Sequence, residues 1–214
     1  MYPVPADAPK QRPVKNALPC PALIHSFMLH LNTAIQYVLS ITFAKAFRNR
    51  AETAQAAPPV WGKQGFGGKA GNTLRFLTEQ VIPALKQQFA LPENVQIILG
   101  GYSLAGLFAL WASTQTALFS DVATASPSVW FPGWMEFEQQ HPMQTQHIYL
   151  SLGDKEEHTK NAVMAAVGDN IRTLHSRLAE RGTDCTLEWN SGGHFKDADL
   201  RTARAFQWVM EESR

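Results

Sequence analysis

One serine stands out as a residue that could act as a nucleophile. It lies in Gly101-Tyr102-Ser103-Leu104-Ala105-Gly106, between the apolar run VQIILG and the apolar run LAGLFALWAS. A serine held at a tight strand-to-helix turn needs small neighbours where strand and helix approach each other, hence the pattern Gly-x-Ser-x-Gly. Ala105 replaces the second glycine, but alanine is still small, and Gly100 and Gly106 add freedom. The competing assignment is an ordinary serine cap on the following helix. A neutral hydroxyl attacks only if a base takes its proton. His194 is the best base, because it sits in SGGHF after the run CTLEWN, where glycines can bring an imidazole over a sheet edge. His175 falls inside a helical segment, His147 starts a strand, and His25, His30 and His141 have no glycine loop to aim them at Ser103. An acid that orients the imidazole is expected after HIYLSLG, where Asp154, Glu156 and Glu157 cluster in GDKEEH. Any of the three could serve. At least two belong to a solvated loop leading to a helix N-terminus, and His158 beside them is expected to be exposed.

Other chemistries fit less well. Gly65, Gly67 and Ala70 match a dinucleotide-binding Gly-x-Gly-x-x-Gly/Ala pattern. However, the preceding AAPPVWGKQ carries two prolines and makes a poor strand, and no acid follows a second strand as ribose binding requires. Lys63 and Ala70 occupy positions that the phosphate-binding Walker pattern reserves for Gly and Ser or Thr. A mobile loop near the site is the better expectation. Cys20 and Cys185 lie far apart with no metal-ligand spacing, so no metal, no cofactor and a reducing, cytoplasmic setting are expected. The 19 Lys and Arg offset 18 Asp and Glu to a formal charge of +1, without the clustered cations that nucleic acid needs.

The elements that position these residues follow from periodicity. The chain has 214 residues, 45% of them hydrophobic and 17% charged, which suits one globular domain spanning residues 1–214. Residues 21–44 lack Asp, Glu, Lys and Arg, but His25, His30, Asn32 and Gln36 interrupt them, so neither an export signal nor a membrane anchor is expected. This stretch reads instead as a buried strand at PALI, a short helix capped by Ser26 with Phe27, Leu31 and Ile35 on one face, and a strand at YVLSITF. Residues 45–60 and 61–72 read as loops. A helix is predicted from Thr73 to about Phe89, then strand VQIILG, helix SLAGLFALWAS, and strands DVATAS and HIYLSLG. A long helix over Asn161–Glu180, strand CTLEWN and a closing helix ADLRTARAFQWVME complete the pattern. Such alternation specifies an α/β fold with a mostly parallel sheet and helices on both faces.

From about residue 58 onward the chain resembles the putative-esterase branch of the α/β hydrolases, which includes siderophore esterases, S-formylglutathione hydrolases and mycolyltransferases. The matching segments are ILGGYSLAGLFALW, ASPSVWF, SLGDKEEHTKN and WNSGGHF. The resemblance implies an α/β-hydrolase fold with an abbreviated N-terminal part, and an acid in a Gly-x-x-Asp/Glu pattern, which here is Glu156. It implies a serine hydrolase cleaving a small-molecule carboxylic ester or thioester through an acyl-enzyme, with Ser103 as nucleophile, His194 as base and Glu156 as orienting acid. The backbone N–H of Leu104 would be one oxyanion donor. The second would come from a loop after an early strand; PALIHSF is the stretch that fits, which points to Ser26 or Phe27. Tyr102, Trp130 and Phe131, with Trp61, Phe66 and Trp134, could line a substrate pocket, whereas Trp111, Trp189 and Trp208 are expected in the core. Lys63, Lys69, Lys155 and Lys160 could meet an anionic siderophore. The alternatives are a non-catalytic binding protein of the same fold, or acyl transfer to an acceptor other than water. An apolar patch on the final helix could support a homodimer.

Overall fold

The run VQIILG is apolar at every position but one because both faces of its sheet are covered. The computed structural model describes residues 26–31, 37–43, 56–60 and 65–213. Its chain opens with β1 (Ser26–Leu31), β2 (Tyr37–Phe43) and the two-residue pair β3 (Ala56–Ala57) and β4 (Phe66–Gly67). Helix α1 (Ala70–Phe76) passes through a widened π turn at Leu77–Val81 into α2 (Ile82–Phe89). This turn ends just before Pro83, which has no N–H to continue an ordinary helical ladder. Then come β5 (Gln96–Tyr102), α3 (Leu104–Gln115), β6 (Asp121–Ala125), α4 (Trp134–Gln140) and β7 (His147–Gly153). A single 3₁₀ turn at Glu156–His158 precedes α5 (Ala162–Ala165), α6 (Val167–Glu180), β8 (Asp184–Asn190) and α7 (Ala198–Glu212).

The main sheet has six strands in the order β1-β2-β5-β6-β7-β8. Strands β2, β5, β6, β7 and β8 run parallel, and β1 is antiparallel to β2. Alternate side chains of β5 enter opposite layers. Ile97 and Leu99 join a core with α1, α2, α3 and α6, whereas Ile98 packs with Ala205, Phe206 and Val209 of α7. Every residue of α3 from Leu104 to Thr114 is buried, which explains its uninterrupted apolar sequence. Full burial of a Leu, Ile or Phe is worth about 1.5–3 kcal/mol, so this helix anchors the layer behind Ser103.

The predicted alternation from β5 onward is present, and the deviations have physical causes. Ser26–Leu31 is a strand, not a helix capped by Ser26: Phe27, Leu29 and Leu31 also fit a two-residue period, and antiparallel pairing with β2 satisfies that backbone. The PALI run, His25, Cys20, Trp61 and Lys63 lie outside the described residues. Within the glycine stretch, Phe66–Gly67 pairs with Ala56–Ala57 and Phe66 is buried against Phe131 at 5.0 Å. The expected helix over Asn161–Glu180 divides at Ala166, with Asn161 accepting bonds from the N–H groups of Val163 and Met164. Helix α4 had no clear periodic signal. Trp189 is 39% exposed rather than in the core, with the Arg172 guanidinium 4.7 Å above its ring.

Candidate active site

Ser103 lies between β5 and α3 with φ 61° and ψ −124°, a conformation that an L-residue adopts only under constraint. The constraint is visible. Its N–H donates to Ala125 O at 3.1 Å, and its carbonyl accepts from Ser128 N at 3.1 Å and Leu107 N at 3.0 Å. Gly101 makes the turn compatible with Ala105, because a Cβ at residue 101 would sit 2.5 Å from the Ala105 carbonyl carbon and 2.8 Å from its Cβ. Alanine is therefore tolerated at the second small position only because the first has no side chain. The Ser103 hydroxyl makes no capping bond to α3. Instead its Oγ lies 3.0 Å from His194 Nε2 and 3.3 Å from Ser128 Oγ. The Leu104 N–H opens α3, where the helix dipole favours negative charge.

His194 is carried by the turn after β8. Gly192, at φ +110°, turns the chain there; its N–H donates to the Asp154 carboxylate at 2.7 Å and its carbonyl accepts from Lys155 N at 3.1 Å. The imidazole Nδ1 lies 2.7 Å from Glu156 Oε2. Glu156 begins the 3₁₀ turn after β7, and its side chain is only 5% exposed. Its other oxygen, Oε1, accepts from Gly153 N at 2.8 Å, from the Ser126 hydroxyl at 2.5 Å and from Arg201 Nη2 at 3.2 Å. Burial pushes this carboxyl up, but the hydrogen bonds from His194 and Ser126, the charge of His194 and the Gly153 N–H outweigh it. The result lies below the ordinary carboxylate range.

These contacts separate the three acidic candidates. Glu156 bonds to His194; Asp154 holds the Gly192 turn, and Glu157 pairs with Arg172 at 2.8 and 2.9 Å. Other expectations need correction. Phe27 lies inside β1, opposite Ile41, which is itself opposite Leu99 of β5. At two strand spacings, about 9–10 Å from β5, it is no loop donor to Ser103. Trp130 and Phe131 are 7% and 4% exposed and pack on Phe66, and Trp134 is buried, so core packing accounts for these rings. The Tyr102 hydroxyl donates to the His194 carbonyl and accepts from Arg201 Nη1 at 3.1 Å, which commits it to holding the histidine turn. Burial pushes this phenol up, so it stays protonated.

Two contributors escaped the sequence reading. Arg201 is buried beneath Glu156, and Phe195 is 91% exposed with its ring edge-on to His194 at 5.0 Å. Arg201 shares a four-residue spacing with Ala205 and Val209, so a cation on an apolar stripe was the available signal. Phe195 offered none beyond adjacency to His194. Among the described residues no three His, Cys, Asp or Glu side chains gather to hold a metal ion, and no helix is long and apolar enough to cross a membrane.

Comparison with known proteins bears on the fold and the family. No curated protein gives a significant sequence match. Among solved structures, the siderophore hydrolase EstA from Aspergillus nidulans is similar over 77% of this chain and 67% of its own, with 21% identity and a TM-score of 0.58. An IroE-like serine hydrolase from Shewanella oneidensis is similar over 77% of this chain and 57% of its own, with 19% identity and a TM-score of 0.63. The enterobactin esterase FES from Shigella flexneri is similar over 65% of this chain and 39% of its own, with 17% identity and a TM-score of 0.51. These likenesses establish a shared α/β-hydrolase fold. The model of the putative esterase family matches residues 61–198, a span that holds Ser103, Glu156 and His194 and well over half of the chain. The protein belongs to the putative esterase family.

Proposed function

We propose that this protein is a serine carboxylic-ester hydrolase that works through an acyl-enzyme on Ser103. The observation that carries the reading is the continuous relay from Ser103 Oγ to His194 Nε2 at 3.0 Å and from His194 Nδ1 to Glu156 Oε2 at 2.7 Å. His194 takes the hydroxyl proton as Ser103 Oγ attacks the acyl carbon. Glu156 fixes the tautomer with the proton on Nδ1 and stabilises the imidazolium without itself being protonated. The tetrahedral oxyanion is met by the Leu104 N–H at the start of α3, and one such donor is worth about 3 kcal/mol of barrier. His194 then returns the proton to the leaving alkoxide or thiolate. A water, activated by the same imidazole, releases the acid and restores Ser103.

Membership of an esterase family supports the ester bond as the target. The substrate is a small-molecule carboxylic ester or thioester. The siderophore hydrolases and enterobactin esterase among the structural neighbours make siderophore esters the first substrates to screen. Hydrolysis of p-nitrophenyl acetate by the wild type, and its loss in Ser103→Ala and His194→Ala, tests the assignment. Full activity in Ser103→Ala would overturn it.

A further inference from the structure

We propose that Arg201 is the positioning residue of this site: its guanidinium keeps the Glu156–His194 pair free of an excess proton and ties the segments bearing the relay into one unit. The proposal rests on the assignment of Ser103, His194 and Glu156 made above.

Arg201 lies in α7, is 2% exposed, and spends its fork on the site. Its Nη2 donates to the Ser126 hydroxyl and to Glu156 Oε1, and its Nη1 donates to the Tyr102 hydroxyl. Each contact reaches a different part of the relay. Tyr102 precedes Ser103 in β5 and donates onward to the His194 carbonyl. Ser126 follows β6 at φ 45°, and its hydroxyl donates a hydrogen bond to Glu156. One buried cation therefore joins the nucleophile strand, the end of β6, the acid and the base. A hydrophobic side chain at this place in the stripe would fill the same space, whereas an ion pair must offset the desolvation of both charges. Among the described residues the Nε of Arg201 has no hydrogen-bond partner, so the fork carries the interactions seen.

The electrostatic consequence has a definite sign. A guanidinium is a permanent cation beside Glu156, and it opposes the arrival of a proton anywhere on the Glu156–His194 pair. Among the described residues, the other groups facing the pair are few. Tyr102 approaches from β5, and Lys196 is exposed on the histidine turn. Within the acid's own turn, Asp154 bonds Gly192 N, Glu157 pairs with Arg172, and Lys155 and His158 are exposed. Among the described residues, removing the Arg201 charge leaves the buried carboxylate with no permanent cation bonded to it, and the pair then holds a proton to higher pH. Labelling of Ser103 requires the imidazole to take the hydroxyl proton, so the acid limb of labelling reports that change.

The test is the pH dependence of the rate at which a fluorophosphonate labels Ser103, followed by intact mass in wild type, Arg201→Lys, Arg201→Met and Arg201→Gln. The acid limb is expected to move to higher pH by at least about one unit in the Met and Gln variants, while Lys, which keeps the charge, holds it near the wild-type position. A uniform loss of rate in Met or Gln with the limb unmoved would overturn the proposal. So would failure of both neutral variants to fold, which would assign Arg201 to the fold alone. Absence of labelling in folded wild type is a different result: it would remove the Ser103 assignment itself.

Discussion

His194 Nε2 stands 3.0 Å from Ser103 Oγ across 91 residues of chain, and Ser103 meets it in a backbone conformation of φ 61°. That conformation releases the hydroxyl from the helix cap and aims it at the imidazole, at a strain cost of about 1–3 kcal/mol. Ser103→Gly should therefore unfold at higher urea than Ser103→Ala, by about 1 kcal/mol, because only glycine relieves the strain. Both variants should be inactive. Equal stability of the two would show that the turn is unstrained.

Gly101 is where the turn has no room. A Cβ there would lie 2.5 Å from the Ala105 backbone, so Gly101→Ala must displace the start of α3 and Ser103 with it. A displacement of about 1 Å costs on the order of 100-fold in rate. Ester hydrolysis by this variant should fall by at least that factor while its circular dichroism stays native. Wild-type turnover would contradict the account of the turn.

Glu156→Gln should lower kcat by roughly 10³–10⁴-fold, because an amide cannot hold the tautomer or stabilise the imidazolium. The substitution also reads out as a pH effect on stability. The folded carboxyl sits below its ordinary range, so its contribution is present above the unfolded value and is lost as pH falls through the folded one. The gap in Tm between wild type and Glu156→Gln should be widest near neutrality and should narrow towards pH 3. A gap independent of pH would contradict the assignment of the shift.

A second buried carboxylate holds the outer helices. Glu138 of α4 has a fully buried side chain paired with Arg177 of α6 and with Arg181 just past its end, and Arg177 also donates to Met135 O at 2.9 Å. Loss of either arginine should cost about 1.5–3 kcal/mol. Loss of both leaves an unpaired buried charge and should cost about 3–5 kcal/mol by urea unfolding. Activity per folded molecule should stay near wild type, since the bonds of these three side chains go to one another, to Met135 O and to Gln139 O rather than to Ser103, His194 or Glu156.

Much of the site was legible because its signals are local. Ser103 announces itself through small residues between an apolar strand and an apolar helix, and His194 through the glycines before it. Glu156 was not separable from Asp154 and Glu157 by chemistry alone, since all three follow the same strand; the spacing seen in related esterases singled it out, and the contacts to Gly192 and Arg172 account for the other two. Arg201 was hidden because an arginine between Asp199 and Arg204 looks like a solvated helix face, and its spacing with Ala205 and Val209 was the one sign that it turns inward. The β1 strand was misread for a different reason. Phe27 and Leu31 have a helical four-residue spacing that is also an even spacing, and strand pairing decided between the two; Ile35 lies outside the described residues.

Intact mass after incubation with a fluorophosphonate is the most direct test of Ser103 as an activated nucleophile. The account predicts a single adduct on the wild type, none on Ser103→Ala, and slow formation on His194→Ala. An adduct that persists in Ser103→Ala, or folded wild type that takes up none, would contradict it.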